Sequence, residues 1–326
     1  MISAEFVICK DCVYWEDCKD KETRDGCYFG EKKEEENMNN VKDALGDRMK
    51  ENYENRSKTY LTRRVPVIIR LDGKAFHTFT RGFKRPYDEI LRAAMDATMK
   101  YLCENIQGCK LGYTQSDEIT LLLTDFDKPT TDAWFNYSVQ KMCSIAASMA
   151  TLAFNRAFTS EMNKWGIDNL PDWGQGGTNQ EVDTALLNIW STYKNAINKG
   201  AFFDARCFSI PQEEVVNCFI WRQQDATRNA IQMLGQTYFN HNELHEKKTN
   251  EIQDMLMIQK GINFNDMPTE FKRGTCCVKE LYQSPNVDIK DGTCTRARWV
   301  VDKEIPIFTQ DRGYIESRMK REEENK

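Results

Sequence analysis

Two apolar stretches of this chain are too short for helices, and each runs into carboxylates. Val65-Pro66-Val67-Ile68-Ile69-Arg70-Leu71 ends on Asp72-Gly73, and Gly112 to Leu123 holds Gln115-Ser116-Asp117-Glu118 at its centre. The first reads as a strand and the second as a tight hairpin. Between them, after Pro86, the residues Leu91, Ala94, Met95, Thr98 and Leu102 recur at helical spacing. Beyond the hairpin the pattern predicts a helix over 133–158, whose stripe of Phe135, Met142, Ile145, Met149 and Leu152 is expected to face the core. Strand, helix, hairpin, helix is the βαββ order of a ferredoxin-like, polymerase-palm sheet. The fold class expected is therefore α+β, with acids on the sheet and helices behind it.

The later segments are expected to be mostly helical. Pro171-Asp172-Trp173-Gly174-Gln175-Gly176-Gly177 marks a loop, residues 178–200 a helical insertion, and Trp221 to Phe239 and Thr249 to Lys260 two further helices. The organisation expected is a cysteine-rich module over 1–30, a palm-like catalytic domain over 31–160 and an insertion over 161–200. Residues 201–326 would hold the rest of the catalytic domain and a helical region contacting RNA.

Antiparallel pairing of the first strand with the hairpin brings the end of one beside the start of the other, so Asp72 and Asp117 should face each other. Carboxylates held that close repel unless cations lie between them. Two hard divalent ions about 3.5–4 Å apart are the usual apparatus of phosphoryl and nucleotidyl transfer. Gly73 lets backbone approach a bound ion or phosphate. Lys74, His77, Arg81, Lys84 and Arg85, interleaved with Phe76, Phe79 and Phe83, suit a triphosphate and its base. The plainer reading is a solvated turn acid followed by a basic surface loop.

Ile69-Arg70-Leu71-Asp72-Gly73-Lys74-Ala75-Phe76-His77, Phe83-Lys84-Arg85-Pro86 and Gln115-Ser116-Asp117-Glu118 resemble signature blocks of the tRNA(His) guanylyltransferase superfamily. Phe203-Asp204-Ala205-Arg206, Trp221 to Asn229, Lys260 to Asp266 and Phe271-Lys272-Arg273-Gly274 are similar to blocks of its bacterial branch. The resemblance implies a polymerase-like palm that adds nucleotides to the 5′ end of tRNA, against the usual direction of synthesis. It implies activation of the RNA 5′-monophosphate with ATP or GTP, Mg²⁺ as the cofactor in two ions, tRNA as the partner, and a homo-oligomer, tetramer or dimer. By position, Asp72, Asp117 and Glu118 would be catalytic, with Asp72, Gly73 and Asp117 holding metal. Lys74, Phe76, His77, Arg85, Ser116 and Lys141 would lie near the nucleotide, Arg85 standing where lysine is more frequent. Asp225, Arg228, Asn229, Lys272 and Arg273 would contact RNA. Thr227-Arg228-Asn229-Ala230 replaces the His-Ile-Asn-Asn stretch of the tRNA(His)-specific eukaryotic enzymes. That favours the branch associated with templated repair of truncated 5′ ends.

Composition narrows the picture further. A net charge of −5 over 326 residues argues against indiscriminate nucleic-acid binding, leaving local clusters to grip phosphates: Arg63-Arg64, Arg81 with Lys84-Arg85, Lys247-Lys248 and Lys272-Arg273. No apolar run approaches the roughly 20 residues of a membrane span, and a cytoplasmic location is expected. Among 12 cysteines, Cys9, Cys12, Cys18 and Cys27 are grouped in a segment too short for its own core. A structural Zn²⁺ would supply its folding energy, the alternatives being a loose reduced tail or an Fe–S or redox site. Two other functions compete with the reverse polymerase. One is a palm-domain nucleotidyl cyclase that needs no RNA, and the other is an inert, zinc-bearing RNA-binding module.

Overall fold

The computed structural model describes residues 7–8, 26–27, 44–170, 184–285 and 293–319. It divides into two units, 1–57 and 58–326. In the first, β1 (Val7–Ile8) pairs antiparallel with β2 (Gly26–Cys27), and α1 (Ala44–Met49) leads into a π-helical turn and a 3-10 turn ending at Ser57.

The second unit follows the order β3 (Val67–Gly73), α2 (Phe76–Phe79), α3 (Glu89–Asn105), β4 (Cys109–Gln115), β5 (Glu118–Leu123), α4 (Val139–Asn169) and α5 (Thr184–Lys199). It continues through β6 (Phe203–Ser209), α6 (Gln212–Tyr238), α7 (His241–Leu244), α8 (Thr249–Lys260), α9 (Thr269–Arg273), β7 (Thr275–Pro285), β8 (Thr293–Asp302) and α10 (Gly313–Met319). Six strands make one antiparallel sheet in the order β6-β3-β5-β4-β7-β8. The βαββ core is thus the centre of a wider sheet whose outer strands come from the second half of the chain. The loop expected over 171–177 and the tail beyond Met319 lie outside the described residues.

The period of two in each strand separates two cores. Val67, Ile69 and Leu71 of β3 join Ile119, Leu121 and Leu123 of β5 in the larger one, against α3 and α4. Ile68, Leu111, Tyr113 and Leu122 face the other way, onto Val215, Val216 and Phe219 of α6 and onto Phe308 and Ile315. The far half of α6 packs with α8 and α9 in a third cluster that includes Leu234, Leu256 and Phe271. Asp88 caps α3 by accepting from Leu91 N at 2.9 Å, and its other oxygen accepts the Tyr193 hydroxyl of α5 at 2.6 Å.

The expected apolar stripe of α4 holds at Met142, which is buried, and at Met149, which packs against the larger core, and is corrected at its other positions. Its buried positions are Met142, Ala146, Ala150, Phe154, Phe158, Met162 and Gly166, whereas Ile145 and Leu152 are exposed, as is Phe135 in the preceding turn. Ala146, Ala150 and Gly166 share the inward face with large residues where α4 lies close to its neighbours: a Cβ on Gly166 would stand 2.4 Å from the Trp190 ring of α5. Side-chain hydrophobicity marks the large residues, and close helix packing selects the small ones. The helix also begins later than expected, because Phe135, Asn136 and Tyr137 hold positive φ in a 3-10 turn ahead of it.

Candidate active site

Strand alternation decides which β3 side chains can meet a ligand. With Val67, Ile69 and Leu71 in the larger core, Arg70 and Asp72 turn to the opposite face. Asp72 is half-buried and stands across from Glu118 of β5 and Asp204 of β6. Two residues back on the same face, Arg70 stands across from Thr120 and Arg206. Like charges directly opposite each other are unfavourable in a sheet. Here an acid row, Asp72 and Asp204, adjoins a basic row, Arg70 and Arg206, and Arg206 Nη2 donates to Asp204 Oδ1 at 3.2 Å.

The β4–β5 turn carries Asp117. Ser116 holds a φ of 57°, and its hydroxyl donates to Asp117 Oδ1 at 3.1 Å. The Gly73 N–H donates to the Asp117 carbonyl at 3.0 Å, tying the turn to the end of β3. Asp72, Gly73 and Asp117 therefore share one end of the sheet. Burial raises the Asp117 carboxyl above its ordinary value, with Asp72 and Glu118 adding to the effect and the Ser116 hydroxyl opposing it. A Cβ on Gly73 would lie 2.3 Å from the Phe76 ring, so glycine is demanded here by packing.

Glu118 points toward α6. Arg222 Nε donates to its Oε1 at 2.6 Å and Arg222 Nη2 to its Oε2 at 2.9 Å, a two-pronged pair largely removed from water. Arg222 Nη2 also reaches Asp225 Oδ2 at 2.9 Å, and Arg228 pairs with the other Asp225 oxygen. Asp225, expected at the RNA, is thus held between two arginines. Arg228 and Asn229 are exposed, and Lys272 and Arg273 of α9 are drawn to this helix through Thr227, whose hydroxyl donates to the Lys272 carbonyl at 2.9 Å.

The expected nucleotide residues divide. Lys74, His77, Arg85 and Ser116 are exposed. Phe76 lies in the core: it is 4% exposed and its ring packs 5.1–5.4 Å from those of Phe79, Phe154 and Phe203. Lys141 is exposed on α4, with its Nζ 6.0 Å from the Phe135 ring. Arg63 and Arg64 are both tied to the fold at its surface: Arg63 Nε donates to fully buried Asp125 at 2.6 Å, the Arg64 backbone N–H donates to the same carboxylate at 2.9 Å, and the exposed Arg64 guanidinium donates to the backbone carbonyls of Asp125, Lys128 and Pro129. Of the four cysteines expected to bind zinc, Cys9, Cys12 and Cys18 lie outside the described residues, and Cys27 is described only through its pairing in β2.

Among the described residues no three or more His, Cys, Asp or Glu side chains are grouped to hold an ion unaided. The donors at the sheet end nevertheless fit magnesium. That ion takes one or two carboxylates and completes its shell with water and substrate phosphates, and Asp72, Asp117 and the Gly73 carbonyl are all hard oxygen donors. Arg70, Asp204, Arg206 and Arg222 fall within the family-like blocks of the sequence, where nothing local marks them for a role. Their signal lies in strand register and in helix facing, which only the assembled sheet supplies.

The family description tRNAHis guanylyltransferase matches residues 46–211. An uncharacterized protein of Acanthamoeba polyphaga mimivirus is 31% identical over 263 residues, covering 76% of this chain and 82% of that one. The tRNA(His) guanylyltransferase of Saccharomyces cerevisiae is 24% identical over 228 residues, covering 66% and 82%. A solved structure of a bacterial tRNA(His) guanylyltransferase-like protein in complex with ATP superposes with a TM-score of 0.67 at 41% identity, covering 85% of this chain and 99% of that one. The same kind of protein in complex with GTP gives 0.63 at 39% identity. Among the described residues no helix is long and apolar enough to cross a membrane. With a family match over half its length and structural likeness over most of the rest, this chain belongs to the tRNAHis guanylyltransferase family of nucleotidyltransferases.

Proposed function

We propose that this chain adds nucleotides, GTP among them, to the 5′ end of tRNA in a template-matched manner. The work served is repair of truncated ends or maturation of tRNA(His). The observation that carries the reading is the single sheet end shared by Asp72, Gly73 and Asp117, locked by the 3.0 Å bond between Gly73 and the Asp117 carbonyl. The complexes of the bacterial relatives with ATP and with GTP support both nucleotides as substrates.

Chemically, a 5′-phosphate oxygen of the RNA attacks the α-phosphorus of ATP and pyrophosphate leaves. The 3′-hydroxyl of the incoming nucleotide then attacks the activated 5′ phosphorus and AMP leaves. Asp72, Asp117 and the Gly73 carbonyl would hold magnesium, as two ions, which would supply charge neutralisation at the transferred phosphorus and a more acidic attacking oxygen. Lys74, His77 and Arg85 offer exposed nitrogen donors on the segment leaving β3, suited to the triphosphate. Arg228, Asn229, Lys272 and Arg273 form a contact area for the RNA body where α6 meets α9. We propose a homo-oligomer, dimer or tetramer, which light scattering of the purified chain measures.

Transfer of labelled AMP from ATP to a 5′-monophosphorylated tRNA tests the reading. Label on the RNA that requires the 5′-phosphate supports it. Conversion of ATP that proceeds equally without RNA contradicts it and points to a cyclase.

A further inference from the structure

The Glu118–Arg222 pair is the strongest unassigned feature of the site. Glu118 is next to Asp117 in sequence and directly across from Asp72 in the sheet. Free, its carboxylate would be a third anionic donor beside the two acids. Instead both its oxygens are taken by Arg222, and the guanidinium cancels its charge at 12% and 19% side-chain exposure, where water screens little. Arg222 is itself held on three sides: Asp225 accepts from Nη2 at 2.9 Å, the Trp221 ring lies 4.4 Å from its guanidinium, and α6 is anchored beside it by Gln223. The Gln223 side chain donates to the Pro306 carbonyl at 2.9 Å and accepts the Phe308 N–H at 2.8 Å. Such enclosure fixes the direction of the fork.

We infer that Arg222 is a positioning residue for nucleotidyl transfer, which holds the Glu118 carboxylate off the Asp72–Asp117 edge so that two acids, not three, meet the cation. This rests on the nucleotidyl-transfer reading of the site. Mg²⁺ bound through two carboxylates keeps coordination positions for phosphate oxygens, whereas a third carboxylate binds the ion more tightly and fills a position the substrate needs. The inference therefore carries an unusual sign: losing Arg222 strengthens metal binding and slows the reaction.

The experiment compares wild type with Arg222→Gln, Arg222→Lys and the double variant Arg222→Gln, Glu118→Gln. Mn²⁺ binding without nucleotide is followed by electron paramagnetic resonance, and 5′ extension of tRNA by kcat and KM. Arg222→Gln is expected to bind Mn²⁺ more tightly, because a third carboxylate is freed toward the ion, and to lower kcat by about tenfold or more. Arg222→Lys, keeping charge but not the fork, should fall between. The double variant, with no carboxylate to intrude, should return to wild-type Mn²⁺ affinity and recover part of kcat. Unchanged or weaker Mn²⁺ binding in Arg222→Gln, or a double variant no better than the single, overturns the inference. Melting curves identify a variant that fails to fold, in which case Arg222→Lys decides alone by its Mn²⁺ affinity. Because Mn²⁺ binding is read without RNA, a wild type that never extends RNA would refute the proposed function and leave this result separately readable.

Discussion

Replacing Gly73 by alanine places a methyl carbon 2.3 Å from Cδ2 and 2.6 Å from Cγ and Cε2 of the Phe76 ring. Ordinary carbon contact begins at 3.4 Å, so ring or backbone must yield by 1.1 Å, the difference between 3.4 and 2.3 Å. The ring cannot yield freely, since Phe79, Phe154 and Phe203 enclose it at 5.1–5.4 Å. Overpacking of this kind costs about 1–3 kcal/mol. At roughly 2–4 °C per kcal/mol for a unit of this size, the melting midpoint should fall by several degrees. If the backbone moves instead, the Gly73 bond to the Asp117 carbonyl is displaced, and a misplacement of about 1 Å at a reacting centre can cost about 100-fold in rate. Gly261→Ala is the control: its φ is +67° but nothing lies within 4 Å of the added carbon, so only the left-handed backbone is strained, at about 1 kcal/mol. Calorimetry and single-turnover extension on the three proteins decide. A Gly73→Ala chain that melts and extends RNA like wild type would refute the packing argument.

Three further outcomes are expected. Asp96 of α3 accepts Thr275 Oγ1 at 2.5 Å and pairs with Arg92, yet burial raises its carboxyl above the ordinary value. The folded state therefore holds its proton more firmly than the unfolded state, and Asp96 loses stabilisation as pH rises through its titration. The stability difference between Asp96→Asn and wild type should move in favour of Asn as pH rises above the ordinary carboxylate range, as melting at a series of pH values will show. Arg228→Ala should weaken tRNA binding and reduce the slope of log affinity against log salt by about one, by filter binding at several salt concentrations. On α4, Ala150→Leu should destabilise by about 1–3 kcal/mol and Leu152→Ala by no more than about 0.5 kcal/mol, measured by urea unfolding, because the first faces the core and the second water.

Local pattern made the βαββ centre legible: the β-branched run before Asp72, the stripe on α3 and the hairpin around Ser116 each have one consistent reading. What escaped depends on partners distant in the chain. That β6 and β7 flank the centre, and that Asp204 stands across from Asp72, follow from register between segments more than 100 residues apart. Phe76 looked like a base-stacking ring because it follows Asp72-Gly73-Lys74, but a short helix turns it inward. Arg63 looked like part of an RNA track, but its guanidinium pairs with buried Asp125, which also takes the Arg64 backbone N–H, and composition gives no sign of a buried acid that needs two donors. Glu118 was expected at the site from its place in the hairpin, while its commitment to Arg222, 104 residues away, was not legible.

The central claim meets its most direct test in the extension of a 5′-monophosphorylated tRNA lacking its first nucleotide, with labelled GTP, ATP and Mg²⁺. Wild type is compared with Asp72→Ala and Asp117→Ala, and the product ends are sequenced. The account predicts template-matched addition by wild type and a loss of at least about 1000-fold in each variant, since each would remove a proposed ligand of the ions that align the transfer. Extension that survives in either variant, or RNA left unchanged by wild type, would contradict it.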